Sequence, residues 1–335
     1  MMTMSQELAR GAFNEVNFAF APSLILWTAL ELGVFTAIEN GATSVDRIAA
    51  TVKCSEKGAR RILNCLVAMN FLEKHNESYQ LNDLSRDYFL PSSENYVGHL
   101  FLSAAQLVRY WLTLPEAVRT GRPTLELFPI EERETYNLQI VEALYQFHKK
   151  SAWELARRLP HTPSLSKILD VAAGSAVWSL PFAVQCPQVE VTAVDFPAVL
   201  EITRKLARRL RVEERYRFIA GDLREMDFGA SRYDLALLGH ICHSEGPRRT
   251  EELIQKCFRA LRVGGQLLIL DYTVDEKRKS DLLALVLALN ALLGSEEGDT
   301  FTFSEYHTWL RQAGFISVEV LPIDGHSPVI TATKE

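Results

Sequence analysis

The sequence predicts a doubly wound, parallel α/β sheet in its C-terminal half, preceded by a mainly α-helical domain of winged-helix type. Three observations predict this. From Lys167 onward, short apolar runs alternate with helical segments, the rhythm of a parallel sheet covered on both faces. Before that point apolar residues recur at spacings of three and four, the period of helices packed on a core. At 335 residues the chain also exceeds what one hydrophobic core usually serves.

In the N-terminal part, residues 5–19 and 23–38 carry the helical spacing. Thr43-Ser44 is placed to cap a short helix from Val45 to Val52, and Ser55 to cap a longer one from Glu56 to Asn70. Phe71-Leu72-Glu73-Lys74, a break at Asn76-Glu77-Ser78, and Tyr79-Gln80-Leu81 read as a hairpin. Helix, turn, helix and hairpin make the winged-helix pattern. Residues 97–120 are helical up to Gly121-Arg122-Pro123, and residues 133–158 form a long helix. Leu159-Pro160-His161-Thr162-Pro163 reads as the linker, which divides the chain into domains 1–158 and 159–335.

Lys167 to Val171 is the first buried strand and Val189 to Val194 the second, followed by a helix over 197–210. Tyr216 to Ile219 and Leu235 to Leu238 are the third and fourth, the latter followed by a helix over 247–261. Gly264-Gly265 opens the fifth, Gln266 to Leu270. Helices follow over 280–293 and 304–313. Ile316 to Leu321 and Pro328 to Thr333 close the chain as an antiparallel edge hairpin.

Bulk composition excludes several classes. Hydrophobic residues make up 47% and charged residues 23%, a normal globular balance. A formal net charge of −6 argues against a nucleic-acid binder. The second helix of the winged-helix block is modestly basic at Lys57, Arg60 and Arg61, the feature a DNA-binding reading would need. Cys65, Leu66, Val67 and Met69 read instead as packing positions. Five cysteines at irregular spacing form no disulfide framework, and no metal site is expected. The first residues lack a signal-peptide pattern, and Glu31 interrupts the most apolar early stretch. A cytoplasmic protein without membrane association is the expectation.

The chemistry concentrates at the strand ends. Ligands of open α/β sheets bind outside the carboxyl ends of the strands. Asp170 lies at the end of the first strand, before the small-residue loop Ala172-Ala173-Gly174. Asp195 ends the second strand and is placed to accept from both hydroxyls of a ribose. Gly221-Asp222-Leu223 follows the third, where an acid can accept from an adenine amino group while Leu223 and Phe196 cover the ring. A dinucleotide pyrophosphate needs several glycines and no nearby carboxylate. This loop has one glycine, and Asp170 suits a cationic ligand. S-adenosylmethionine, with a sulfonium, an ammonium and no phosphate, fits those electrostatics.

The segments ILDVAAGSA, VTAVDFP, GDL, LLGHICHSEG and LRVGGQLLILD stand in the order and spacing of class I methyltransferases. Over nearly its whole length the chain resembles the O-methyltransferase family of hydroxyindole, caffeate-type and bacterial natural-product enzymes. That family has a Rossmann-like catalytic domain and an N-terminal winged-helix dimerisation domain. The resemblance implies a homodimer formed through the N-terminal domain and a small-molecule acceptor from secondary metabolism, apolar or aromatic. It implies that Tyr145, Asp170, Ala172, Ala173, Gly174, Asp195, Phe196, Gly221, Asp222, Leu223 and His240 line the cofactor. The family's loop carries more glycines than Ala172, Ala173 and Ala176 leave here.

His243 lies just after the fourth strand, where a neutral imidazole can take the proton of an attacking hydroxyl. The resemblance implies that it is the general base and that Asp271 orients it. The family's usual Asp-Trp after the histidine is replaced by Ser244-Glu245, and Thr300 stands where a second acid is expected, with Asp299 or Glu297 nearby. By the same resemblance Trp111, Phe147, His148 and Asn290 contact the acceptor. The incomplete motif leaves open N- or C-methylation, or a reaction of the same cofactor without methyl transfer, such as a cyclisation.

Overall fold

In the computed structural model, residues 13–159, 165–323 and 328–335 are described. They divide into two compact units, Met1–Val108 and Arg109–Glu335. Most of the linker read from the sequence, and the first part of the helix expected over 5–19, lie outside the described residues.

The first unit contains α1 (Ala21–Glu31), α2 (Val34–Glu39), α3 (Val45–Thr51), α4 (Glu56–Ala68), β1 (Leu72–His75), β2 (Ser78–Leu81), α5 (Asp83–Phe89) and α6 (Gly98–Leu102). The helix expected over 23–38 is two helices, because Gly33 turns left-handed between them with φ 75°. Ser55 caps α4 by accepting from the Gly58 N–H. Ser44 occupies the N-cap of α3 but accepts no capping bond. In α4, Ala59, Leu63 and Leu66 turn inward. Cys65, expected in the packing, is exposed, because it falls off that inward stripe.

The helix α7 (Ala104–Trp111) runs through the division at Val108. The second unit continues with α8 (Leu114–Thr120), α9 (Ile130–Arg158), β3 (Lys167–Val171), α10 (Leu180–Gln185), β4 (Glu190–Asp195), α11 (Pro197–Arg209), β5 (Tyr216–Ala220) and β6 (Tyr233–Gly239). Then come α12 (Cys242–Ala260), β7 (Leu261–Leu270), β8 (Thr273–Val274), α13 (Leu282–Gly294), β9 (Phe301–Thr302), α14 (Phe303–Ala313), β10 (Phe315–Leu321) and β11 (Val329–Lys334). The helices of 109–158, which the sequence grouped with the N-terminal domain, pack within this second unit. The reason is in α9: Tyr145, Ala152, Leu155 and Ala156 join the same core as Ile168, Val191 and Leu237 of the sheet.

The sheet has the order β10-β11-β7-β6-β3-β4-β5. Pairings among β3 to β7 are parallel, and β11 is antiparallel to both β7 and β10. The expected antiparallel hairpin forms one edge of the sheet, with β11 against β7 and β10 outermost; β5 is the opposite edge. Along the central strands successive buried side chains alternate between two cores. Ile168, Leu235 and Leu237 face one core, and Leu169, Ala236 and Leu238 the other. The chain runs outward from β3 through β4 to β5 and returns to β6 on the other side of β3. That reversal opens a crevice at the carboxyl ends of β3 and β6, where a ligand of such a sheet binds.

Candidate active site

The loop after β3 is shaped by three left-handed residues, Ala172 (φ 53°), Gly174 (φ 57°) and Ala176 (φ 55°). Two of them are alanines, at a cost of about 1–2 kcal/mol each. The turn is held from outside. The Gly174 N–H donates to Asp195 Oδ2 at 2.8 Å, and Thr203 Oγ1 donates to the Gly174 carbonyl at 2.7 Å. The other oxygen of Asp195 accepts the Phe196 N–H at 2.7 Å, and its carbonyl accepts the Gly221 N–H at 3.1 Å. Asp195 therefore ties the ends of β3, β4 and β5 together. Asp222 turns its own loop by accepting the Arg224 N–H at 2.9 Å. Leu223 is buried and the Phe196 ring is 55% exposed.

Asp170 is buried at the base of this loop. It accepts from Ser179 Oγ at 2.5 Å, and that hydroxyl lies 3.0 Å from the Tyr216 hydroxyl. Burial pushes its carboxyl up to about 7, against the Ser179 hydrogen bond, with the neighbouring Asp195 adding to the rise. A buried acid held so high favours a positively charged ligand. Its place beside the left-handed loop fits the cationic head of S-adenosylmethionine, with Asp195 and Asp222 at the next two strand ends to hold the nucleoside. Tyr145 of α9 is buried in the core beneath this loop.

A second group assembles at the ends of β6 and β7. His243 stands in a short helical turn at the start of α12, which kinks at Gly246-Pro247 (Gly246 φ 77°, ψ 176°). Its Nδ1 lies 2.7 Å from Asp271 Oδ1, and its backbone N–H donates to Asp271 Oδ2 at 3.0 Å. The Tyr272 N–H also donates to Asp271 Oδ1, at 2.8 Å. Burial opposes charge on His243, but the charge and hydrogen bond of Asp271 outweigh it and raise the imidazole's basicity. Asp271 is buried, which alone would raise its carboxyl; the charges of His243 and His240 and the hydrogen bonds of His243 hold it below its usual value.

His240 has a left-handed backbone (φ 55°) that turns its ring towards this carboxylate, with Nδ1 3.9 Å from Asp271 Oδ1. The ring stacks on His148 with centroids 4.3 Å apart, and Trp178 and Tyr272 lie at 5.9 and 5.0 Å. Sequence reasoning placed His240 beside the adenosine and did not single out Trp178 or Tyr272. Trp178 sits in the apolar run entering α10, which reads as core. Phe147 is 45% exposed and meets the His148 ring edge-on. Trp111 Nε1 donates to Asn290 Oδ1 at 3.1 Å, joining two residues named separately from the sequence.

Neither carboxylate near Thr300 reaches the His243 ring in the bonds described; Asp299 meets His243 only through the backbone, its N–H donating to the His243 carbonyl at 3.0 Å. Thr300 is buried and its hydroxyl donates to the Ala284 carbonyl. Asp299 accepts the Thr300 N–H and faces Arg278 at 3.6 Å, while Glu297 faces Arg248 at 3.9 Å. Among the described residues no cluster of His, Cys, Asp and Glu is arranged to hold a metal ion, and no helix is long and apolar enough to cross a membrane.

Residues 111–316 match the O-methyltransferase domain, and residues 14–91 match the O-methyltransferase dimerisation domain. The chain is 28% identical over 330 residues to the tetracenomycin polyketide synthesis 8-O-methyl transferase of Streptomyces glaucescens, covering 97% of this chain and 96% of that one. It is 26% identical over 302 residues to the 3-hydroxy-5-methyl-1-naphthoate 3-O-methyltransferase of Streptomyces sahachiroi, covering 88% and 86%. Human N-acetylserotonin methyltransferase, solved in complex with S-adenosylmethionine, superposes with a TM-score of 0.83 at 26% identity, covering 99% of both chains. The chain belongs to the O-methyltransferase family, and it is an S-adenosylmethionine-dependent methyltransferase.

Proposed function

We propose that the chain methylates a hydroxyl group on a small aromatic molecule, with His243 as the general base. The observation that carries this reading is the 2.7 Å contact between His243 Nδ1 and Asp271 Oδ1. A buried carboxylate on Nδ1 favours the tautomer with the proton there, which leaves the Nε2 lone pair for an acceptor. An aromatic hydroxyl, with a pKa near that of tyrosine at about 10, attacks well only as its proton leaves. His243 takes that proton, and Asp271 stabilises the imidazolium that forms.

The cofactor supplies an electrophilic methyl group on a cationic sulfur. Asp170, Asp195 and Asp222 hold and orient it, with Tyr145, Ala172, Ala173, Phe196, Gly221 and Leu223 around them. Trp111, Phe147, His148 and Asn290 form the acceptor side. The named substrates of two relatives, a naphthoate and acetylserotonin, support an aromatic acceptor. With one acid behind His243, an acidic aromatic hydroxyl suits this site better than an aliphatic one. The N-terminal unit serves as a homodimer surface. Support comes from its match to the dimerisation domain and from the exposed Phe13, Val16, Phe18 and Phe20.

Incubating the protein with methyl-labelled cofactor and a panel of hydroxylated aromatics, read by mass spectrometry, tests the reaction. Label on oxygen supports the reading; label found only on carbon or nitrogen overturns it.

A further inference from the structure

His243 is held by its backbone on both sides. Its N–H donates to Asp271 Oδ2 at 3.0 Å, and its carbonyl accepts the Asp299 N–H, also at 3.0 Å. The loop that makes the second contact comes close. A Cβ at Gly298 would lie 3.1 Å from the His243 carbonyl oxygen. The orientation of the ring on Asp271 thus depends on where residues 298–300 sit.

Arg278 ties that loop down. Its Nη1 donates to the Thr300 carbonyl at 2.7 Å and lies 3.6 Å from Asp299 Oδ2. Its Nη2 meets both oxygens of Glu305, at 3.1 and 3.0 Å. Charge-assisted bonds of this kind fix a guanidinium in direction as well as distance. Glu305 is itself fixed, because its Oε2 accepts the Thr302 N–H at 2.7 Å in the capping box of α14. Thr300 Oγ1 adds a neutral bond to the Ala284 carbonyl at 3.2 Å.

The turn that carries Arg278 is shaped for this contact. Arg278 is left-handed, with φ 50°, and its N–H donates to the Asp275 carbonyl at 2.7 Å. The Asp275 carboxylate accepts the N–H groups of Lys277, Lys279 and Ser280 and the Ser280 hydroxyl. A residue other than glycine stays left-handed only where its surroundings over-determine it. Lys277 and Lys279 are exposed, whereas Arg278 between them is half-buried.

We propose that Arg278 is a positioning residue for His243, fixing the 298–300 loop against the backbone of the base and so keeping the imidazole on Asp271. The proposal rests on the reading of His243 as general base. It also accounts for Thr300, which stands where the resemblance implies a second acid. Here the support reaches His243 through its carbonyl and not through its ring. The other charged groups near His243 are accounted for. His240, which burial keeps neutral, faces the same Asp271 oxygen, and the Tyr272 ring lies edge-on at 6.3 Å. Burial keeps the neighbouring Cys242 thiol protonated. Glu245 faces Arg224 and Arg249, and Glu297 faces Arg248.

The test reads the imidazole itself. Side-chain NMR titration of the full-length protein saturated with S-adenosylhomocysteine gives the His243 pKa, with His243→Ala assigning the signal. Loss of a nearby cation would by itself raise an imidazole's pKa, whereas loosening His243 from Asp271 lowers it. In Arg278→Met the pKa should fall by about 0.5–1 unit, a part of the roughly one to three units that a close opposite charge is worth. The kcat for methylation of an aromatic hydroxyl should fall about 10–100-fold at unchanged KM and unchanged S-adenosylhomocysteine affinity. Arg278→Lys, which can still donate to Thr300 and face both acids, should recover most of both losses. Glu305→Gln keeps an acceptor for the Thr302 N–H and removes the charge behind Arg278. It should lower the pKa by less, and it decides the matter if Arg278→Met does not fold. A pKa that stays or rises in these variants overturns the proposal. So does a joint loss of kcat, acceptor binding and cofactor affinity without a change in pKa, which would make Arg278 a brace of the fold alone. A lowered pKa with methylation at the wild-type rate would leave the positioning role standing and refute His243 as the base instead.

Discussion

Asp271 grips His243 twice, with one oxygen on the ring Nδ1 at 2.7 Å and the other on the backbone N–H at 3.0 Å. The pair joins the end of β7 to the helical turn after β6. Ring orientation and ring basicity therefore depend on the same buried carboxylate.

Asp271→Asn separates these effects from cofactor binding. The amide cannot stabilise an imidazolium, so kcat should fall by about 10²–10⁴-fold, while S-adenosylhomocysteine affinity measured by calorimetry stays near wild type. The pH profile carries the sign. Asp271 raises the His243 pKa, and the active form is the neutral imidazole. Activity should therefore climb as pH rises through that pKa. In Asp271→Asn the residual rising limb of kcat/KM should move to lower pH; an unmoved limb would mean that another group sets it.

Asp170 predicts a pH dependence for the cofactor itself. Its carboxyl, held near 7 by burial in the ligand-free protein, must ionise to meet a cation. Affinity for S-adenosylmethionine should rise as pH increases towards 7 and level off above it, with uptake of the ligand releasing protons on the acid side. Calorimetry between about pH 5.5 and 8.5, in buffers of different ionisation enthalpy, checks this. A flat profile would show that Asp170 stays ionised without ligand.

Gly246 is the hinge beneath His243. Its φ is 77°, and a Cβ there would lie 2.3 Å from Glu297 Cβ and 2.5 Å from the Glu297 carbonyl oxygen. The loop it would push carries Asp299, whose N–H donates to the His243 carbonyl at 3.0 Å. Gly246→Ala should destabilise the protein by about 2–3 kcal/mol and reduce turnover. Thermal unfolding of the variant at wild-type midpoint would contradict this packing.

The places of the three acids were legible in the sequence because each lies at or just beyond the carboxyl end of a strand, and strand ends are set by local apolar runs. Asp170, Asp195 and Asp222 needed only the order of those runs. The order of the last two strands was not legible. β11 enters between β7 and β10 through pairing with residues some sixty positions earlier, which no local pattern encodes. The grouping of α9 with the sheet was hidden for the same reason: its inward stripe looks alike whichever core it faces. Trp178 was missed because an aromatic in an apolar run reads as packing. Only its buried N–H, which has no hydrogen-bond partner among the described residues, sets it apart. Trp111 and Asn290 were each named, but their bond spans 179 positions.

The central claim is that His243 removes a proton from an acceptor hydroxyl. Its most direct test compares wild type with His243→Ala for transfer of a labelled methyl group to an aromatic hydroxyl, alongside S-adenosylhomocysteine affinity in both. The prediction is a labelled methyl ether whose rate of formation falls about 10²–10⁴-fold in the variant at unchanged cofactor affinity. Methyl ether formed by His243→Ala at the wild-type rate would contradict the account.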